Sequence, residues 1–482
     1  MSKKDVFYLT ASIPYVNAKP HLGHALEYCQ GDVLARWHRN KGIKTFYVSG
    51  ADENSLKIVR AAEEAQKPAQ EFSDEHAKYF LNFLEQYHIS IDKFQRSSSE
   101  EHKQVAQEFW QQCEKAGAIY KKKYKGLYCV SCELFYQKEE LDEEGFCVYH
   151  PGKGLEIVEE ENYFFKLSQY QEQLIELIES DRYLIRPETR KNEALAFIKR
   201  GLEDFSISRS KERARGWGVE VPSDQSQYMY VWFDALNVYR SAAPHYWPPT
   251  LHIIGKDILR FHAIYWPAML LAAGEKLPKE LFVHGFLTYE GKKMSKSLGN
   301  VIDPIELINE FGVDGIRYFL LREIPSDSDG DFSRERLIQR YNADLANGIG
   351  NFASRVLTLA SQYETIPFIP DQITKKIQKK IDETRGKAEE ALEKRKMHEA
   401  LASIFELMQF GDRYLNEEKP WEEKSKDKKL ESIRNCVWIL HEVSLLLDPF
   451  IPESMAKIRA ALIESEGAIK AEKLTQPLFP RI

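Results

Sequence analysis

Two histidines and two lysines in distant parts of the chain could grip one polyanion. His21-Leu22-Gly23-His24 sets two imidazoles around a glycine, and Lys293-Met294-Ser295-Lys296-Ser297 sets two ammonium groups in a loop opened by Gly291. Imidazole N–H and ammonium groups fixed where negative charge grows bind a transition state more tightly than a ground state. Gly23 removes a side chain, so a flat base or a phosphate could approach the backbone. Singly, each motif has an ordinary reading: histidines at helix spacing are common in cores and on surfaces, and a lysine run is often a solvated loop. Together, in this order and about 270 residues apart, they point to nucleotide phosphate chemistry.

The elements that must position them are legible. Val6 to Ile13 is an apolar run that reads as a buried parallel strand, and Ala25 to Lys41 reads as the helix after it. The histidines then fall at a strand-to-helix turn, where backbone N–H groups and the helix dipole collect anions. Further strand-like runs at Thr45–Ser49, His252–Ile254 and Leu281–His284 alternate with helical stretches, the pattern of a parallel sheet covered on both faces. The site belongs at the carboxyl ends of those strands. From Ser333 onward, amphipathic stretches at Ser333–Ser361, Thr374–Arg395, Met397–Asn416, Lys428–Leu447 and Pro452–Glu464, punctuated by prolines, read as a helical bundle.

A chain of 482 residues is too long for one core. No segment offers the roughly 18 uninterrupted apolar residues a membrane span needs, and the N-terminus lacks the pattern of a secretory signal. With a net charge of −7, nucleic-acid binding would rest on local basic patches rather than on overall charge. Lys121, Lys122, Lys123 and Lys125 form either such a patch or a solvated face.

Of six cysteines, three cluster with a histidine. Cys129-Val-Ser-Cys132, 14 residues, then Cys147-Val-Tyr-His150 gives two knuckles with a donor set suited to tetrahedral Zn2+. Four protein ligands leave no open position, so this metal is expected to be structural. Cys29, Cys113 and Cys436 read as ordinary buried thiols. The composition fits a reducing, cytoplasmic compartment.

His21–His24 followed by Lys293–Ser297 resembles the signature pair of class I aminoacyl-tRNA synthetases. The rest of the chain narrows that resemblance: Ser12-Ile13-Pro14-Tyr15, Asn17, Lys19-Pro20, Ala51-Asp52-Glu53, Tyr230-Val231-Trp232-Phe233-Asp234-Ala235 and Ile254-Gly255-Lys256-Asp257-Ile258 through His262, with one zinc knuckle. Over nearly its whole length the chain resembles the methionyl-tRNA synthetase family. The resemblance implies activation of methionine by ATP with Mg2+, then transfer to tRNA(Met). It assigns His21, His24, Lys293 and Lys296 to catalysis, and Gly23, Glu27, Gly255, Asp257 and Lys296 to ATP, with Asp257 at the ribose. Glu27 reads equally well as a plain carboxylate near a helix start. Ile13, Tyr15, Trp232, Ala235, Tyr239, Ile258, Phe261 and His262 are implied to line the methionine pocket, Asp52 to take the ammonium, and Arg209 to pair with Asp52. An aromatic slot suits a thioether, to which Tyr239 and His262 could add hydrogen bonds. The family usually carries Asp-Glu-His-Gly where this chain has Asp52-Glu53-Asn54-Ser55, which leaves Asn54 without an inherited role.

Asn347, Asn351 and Arg355 recur every four residues, on one face of a helix, and Trp421 follows a helix end. Amides and a guanidinium can read unstacked bases, and an indole can stack on one. These positions match the family's anticodon contacts. The expected architecture is α/β: a Rossmann-type parallel-sheet catalytic domain with a zinc-containing insertion, followed by an all-α helical-bundle domain. Its divisions are 1–115 (first catalytic half), 116–222 (insertion), 223–332 (second half with the lysine loop) and 333–482 (anticodon-binding bundle). The expected partners are tRNA(Met), methionine and ATP, with no membrane and no DNA. A monomer is expected, because no appended dimerisation domain follows the bundle.

Overall fold

The computed structural model describes residues 6–131, 133–136, 138–147, 152, 154–289, 292–293 and 302–482. Cys132, His150, Gly291 and Lys296 lie outside the described residues, and for Lys293 only the backbone is described. The chain forms two compact units: Met1–Pro20, His38–Glu85 and Ile89–His284 make one, and His21–Trp37, Gln86–His88 and Gly285–Ile482 make the other.

The first unit is built on a parallel sheet of six strands among the described residues: β1 Phe7–Ala11, β2 Thr45–Ala51, β3 Lys93–Arg96, β4 Leu184–Arg186, β5 Leu251–Gly255 and β6 Glu280–His284. Their spatial order is β3-β2-β1-β5-β6-β4. Every residue of β1, β5 and β6 is buried, as expected of strands covered on both faces. The chain runs outward from β1 to β2 and β3, and β5 returns on the other side of β1. The carboxyl ends of β1 and β5 are therefore the topological switch point, where open α/β sheets bind ligands. Gly50 in β2 allows β3 to sit close: a Cβ there would come 2.0 Å from the Gln95 carbonyl oxygen.

Helix α1 spans Leu22–Asn40, α2 spans Leu56–Glu64 behind an N-cap at Ser55, and α3 spans Glu100–Lys115 behind Ser99. In the expected insertion, Ile119–Cys129 pairs antiparallel with Glu156–Phe165, flanked by Leu134–Tyr136 and Phe205–Ser206. This region lends β4 to the central sheet, and its residues Cys129, Val158 and Phe165 share one apolar core with Phe109, Trp110, Phe233 and Trp266. The lysine run lies along the first of these strands with acids beside it: Lys121 is 2.9 Å from Asp224, and Lys125 is 3.1 Å from Glu159. This favours the solvated-face reading of that run.

The second unit is mainly helical: α4 Val313–Glu323, α5 Asn351–Ala360, α6 Lys375–Glu393, α7 Met397–Glu418, α8 Lys426–Leu447 and α9 Pro452–Ala461. Helix α7 packs against both α6 and α8. The helical stretch expected from Ser333 is split by a π-helical segment, Tyr341–Gly350, which contains Gly348 and Gly350. The last expected helix ends early. Residues Leu462–Ser465 form a strand that turns back through Gly467 onto Ala468–Ala471, because pairing suits Ile463 better than another helical turn. Arg317 of α4 is fully buried and ties this unit together. It donates to Asp32 of α1 (2.7 Å) and to the carbonyls of Tyr87 (3.1 Å), Pro449 (2.9 Å) and Phe450 (2.8 Å). Among the described residues, no helix is long and apolar enough to cross a membrane.

Candidate active site

The segment leaving β1 and the end of β2 bring a carboxylate beside a phenol. Tyr15 and Asp52 form a single parallel bridge, and Asp52 N–H donates to the Pro14 carbonyl at 2.9 Å. The Asp52 side chain is almost wholly buried. Its carboxylate accepts the Asn54 backbone N–H, yet among the described residues Oδ1 has no partner, and neither has the Tyr15 hydroxyl. Burial, then the negative charges of Asp234 and Glu133, push the Asp52 pKa well above the carboxylate range. The Tyr15 phenol is likewise pushed well above its ordinary value, first by burial and then by Asp52. Lys57 lies over the Tyr15 ring, 4.0 Å from its centroid.

Arg209 does not pair with Asp52, contrary to the expectation. Its Nη2 donates to the Asn54 carbonyl (2.5 Å), and its Nη1 is 3.6 Å from Glu133 Oε2. The cause is local. Glu133 is fully buried, takes the Lys57 backbone N–H (3.1 Å) and the Tyr128 hydroxyl, and offers the nearer anion.

Residues expected to line an aromatic slot lie together. Trp232 and Phe261 stack at 3.6 Å between centroids with 7° between planes, and Tyr15 meets Trp232 edge-on at 6.3 Å. Ala235 and Tyr239 belong to the same apolar core, and Ile13, Tyr15 and Ile258 pack against it at its margin. His262 Nδ1 is 3.1 Å from the Ile258 carbonyl, which can only accept. The neutral ring therefore carries its proton on Nδ1, and Nε2 accepts from the Tyr239 hydroxyl at 2.9 Å. In this arrangement the Tyr239 hydroxyl and His262 Nδ1 both donate to protein atoms.

Beyond the slot, Gly255 closes β5 and Asp257 follows, exposed. A Cβ on Gly255 would come 2.9 Å from Asp257 Oδ1 and 3.7 Å from the His284 ring at the end of β6. In the second unit, the His21–His24 turn opens α1. The Gly23 N–H donates to His21 Nδ1 (3.1 Å), and the His21 N–H donates to His24 Nδ1 (3.0 Å). Both neutral rings then carry the proton on Nε2, each a donor suited to a phosphate oxygen. The rings stack at 3.8 Å, and a Cβ on Gly23 would press on His21 at 3.0 Å. Glu27 is buried in the next turn of α1. Lys293 lies in a short strand, Lys292–Lys293, paired with Leu287–Tyr289.

Cys129 ends its strand, and Cys147 forms a bridge with Leu141; both are buried, with the Cys147 thiol 3.2 Å from the Tyr136 hydroxyl. Two soft donors thus sit in buried positions at the starts of the two knuckles, which fits the expected donor set. Among the described residues alone, no group of three metal-ligating side chains occurs; the other two expected ligands lie outside them.

On the helical unit, Asn347, Asn351 and Trp421 are exposed. Arg355 lies 5.6 Å from the Trp421 ring centroid and is held by Asp412 (2.7 Å) and Asn416 (2.6 Å). Arg481 donates to Asn347 Oδ1.

A buried polar network behind the slot was not foreseen. Asp234 accepts His102 Nε2 (2.6 Å) and Asn54 Nδ2 (2.8 Å), and Asn54 Nδ2 also donates to the Ser97 carbonyl (2.8 Å). Asn54 thus gains a structural role as the tie between Asp234 and β3's end. Asp234 lies inside a quoted motif and Glu133 directly follows Cys132, so both carried a positional signal; His102 carried none.

The model of tRNA synthetases class I (M) matches residues 7–152 and 147–357, and that of the anticodon-binding domain of tRNA ligase matches 374–476. The methionine--tRNA ligase of Rhizobium meliloti (strain 1021) is 41% identical over 477 residues, covering 95% of this chain and 92% of that protein. That of Nostoc sp. (strain PCC 7120 / SAG 25.82 / UTEX 2576) is 40% identical over 478 residues, covering 94% and 89%. The Mycobacterium tuberculosis methionyl-tRNA synthetase in complex with methionyl-adenylate aligns with a TM-score of 0.92 at 34% identity, over 99% of this chain and 100% of that one. With the parallel sheet, the slot beside Asp52 and the helical unit in place, these matches make the chain a member of the methionyl-tRNA synthetase family of class I tRNA ligases.

Proposed function

We infer that this chain activates methionine with ATP and transfers it to tRNA(Met). The methionine carboxylate attacks the α-phosphate of ATP, the bond to the β-phosphate breaks, and pyrophosphate leaves. A ribose hydroxyl of the tRNA terminus then attacks the acyl carbonyl, and AMP leaves. The observation that carries the reading is the buried Asp52 carboxylate, whose Oδ1 lacks a partner among the described residues, beside an aromatic slot at the carboxyl end of β1. A buried, half-satisfied carboxylate is costly unless a cation completes it, and an α-ammonium does so.

His21 and His24, with their Nε2–H donors, and Lys293 and Lys296 bind the phosphates as charge builds on them; Mg2+ enters with ATP. Gly23, Glu27, Gly255 and Asp257 hold the adenosine side, with Asp257 accepting from ribose hydroxyls. Ile13, Tyr15, Trp232, Ala235, Tyr239, Ile258, Phe261 and His262 line the methionine slot. Asn347, Asn351, Arg355 and Trp421 meet the anticodon, and the exposure of Asn347, Asn351 and Trp421, with Arg355 beside the Trp421 ring, supports that reading. Cys129, Cys132, Cys147 and His150 would hold one Zn2+, which supplies folding energy rather than chemistry. Buried free thiols at Cys29, Cys113 and Cys436 support a reducing, cytoplasmic setting. The functional division is 1–115, 116–222, 223–332 and 333–482.

The test is ATP–pyrophosphate exchange with each of the twenty amino acids. Exchange with methionine alone is expected, and exchange led by another amino acid overturns the reading. Metal analysis of protein purified without chelator is expected to find one zinc per chain.

A further inference from the structure

Ser326 and His398 form a clasp to which no role has been assigned. Ser326 is buried in the segment that follows α4, and His398 is the second residue of α7. The Ser326 backbone N–H donates to His398 Nδ1 at 3.2 Å. The Ser326 hydroxyl oxygen, 3.3 Å from the same nitrogen, accepts the Met397 N–H at 3.1 Å. Lys396, at the N-cap of α7, makes no side-chain cap, so Ser326 satisfies the helix end from outside it. A backbone N–H can only donate, so Nδ1 accepts, and the neutral ring carries its proton on Nε2. Burial, helped by the charges of Lys396 and Arg322 and opposed by those of Asp327 and Glu399, lowers the His398 pKa from its ordinary value. The acceptor is therefore present at neutral pH.

Three residues further on, the same segment is locked to the root of the lysine loop. Asp329 Oδ1 accepts the Phe286 N–H at 2.9 Å, and the Gly330 N–H donates to the Phe286 carbonyl at 3.0 Å. Gly330–Phe332 pairs in parallel with Leu287–Tyr289, and the Thr288 hydroxyl donates to Asp331 Oδ1 at 2.6 Å. Gly285 admits this approach: a Cβ there would come 2.2 Å from the Ser328 carbonyl carbon. Thr288 and Tyr289 pair in turn with Lys293 and Lys292. The backbone that leads into the lysine loop thus takes its position from Asp329–Phe332, and Asp329 is at most about 10 Å of chain from Ser326. The other side of the clasp is firm, because α7 is 22 residues long and packs against both α6 and α8.

We propose that His398 is a positioning residue: through Ser326 it fixes the segment from Ser326 to Phe332, and with it the root of the lysine loop, to helix α7. This rests on the assignment of Lys293 and Lys296 to the ATP phosphates. The residues of the methionine slot belong to the other compact unit and take no part. The loss is therefore expected in the rate of the chemical step and not in methionine recognition.

The experiment measures methionine-dependent ATP–pyrophosphate exchange in variants of the full chain. In His398→Leu, which deletes the acceptor, kcat is expected to fall by about tenfold or more with the methionine KM within about threefold. Two amide variants then locate the atom that matters. Asn carries its side-chain oxygen where histidine has Nδ1, whereas Gln carries its oxygen where histidine has Nε2. His398→Asn is expected to keep kcat within about threefold of the parent, and His398→Gln to lose as much as His398→Leu. This comparison stands even if His398→Leu does not fold. An unchanged kcat in His398→Leu, equal kcat in the two amide variants, or a methionine KM that rises as far as kcat falls would overturn the proposal. Failure of the underlying assignment reads differently: Lys293→Ala and Lys296→Ala would then leave the exchange rate unchanged with His398 intact.

Discussion

Asp52→Asn separates recognition from stability, and the two effects run in opposite directions. The amide keeps the shape and can still accept the Asn54 backbone N–H, but the charge is gone. A hydrogen bond to a charged group contributes about 1.5–3 kcal/mol. Methionine affinity is therefore expected to fall by roughly 10- to 150-fold. A methionine analogue without the amino group should lose little. Stability moves the other way. Burial raises the Asp52 pKa in the folded protein, so the unfolded chain releases this proton first as pH rises through the carboxylate range. The unfolded state then binds fewer protons than the folded one, and folding stability declines until pH exceeds the folded value. Asp52→Asn escapes that decline. Its melting temperature without ligand should equal that of the parent near pH 4 and exceed it at neutral pH, whereas saturating methionine should raise the parent's more. A variant that melts lower at neutral pH, or that loses both ligands equally, would show that Asp52 serves folding and not the ammonium.

Lys296→Ala should slow ATP–pyrophosphate exchange by about 2–4 kcal/mol of barrier with a smaller change in the methionine KM, since its contact belongs to the transition state; an unchanged rate removes this lysine from the mechanism. Trp421→Ala should leave exchange intact while charging of tRNA(Met) weakens by about 1–3 kcal/mol, the value of one stacking platform. Equal damage to both activities would make Trp421 a packing residue. Arg317→Met strands Asp32 and three carbonyls and should cost about 3–5 kcal/mol of unfolding free energy, read by chemical denaturation. A loss below about 1 kcal/mol would mean that water replaces the guanidinium.

What the sequence disclosed followed from local rules. β1, β2, β5 and β6 were readable because parallel strands covered on both faces must be apolar throughout. The bundle helices were readable from their period and their prolines. β4 was missed because Leu184–Arg186 is three residues long and its pairing with Glu280–Phe282 is non-local. The residues proposed for the pocket came from motifs, but who pairs with whom did not. Arg209 had two buried carboxylates to choose from, and only the placement of Glu133 by Lys57 and Tyr128 decides between them. The π-helical segment at Tyr341–Gly350 also escaped, since a hydrophobic period cannot distinguish it from α-helix over two turns.

The Arg317 clamp sets a timetable for synthesis. Helix α1, which carries His24 and follows directly on His21, leaves the ribosome early, but the carbonyls of Pro449 and Phe450 that share its Arg317 anchor emerge some 400 residues later. At about 5–20 residues per second, Asp32 waits roughly 20–80 s for its surroundings to be complete. During that interval the apolar face of α1, with Leu22, Leu26, Val33 and Leu34, has no finished partner. A nascent chain stalled before α4 should therefore be a chaperone client, and a gene split at residue 284 should yield an N-terminal fragment that keeps its central sheet but cannot seat its own histidine helix.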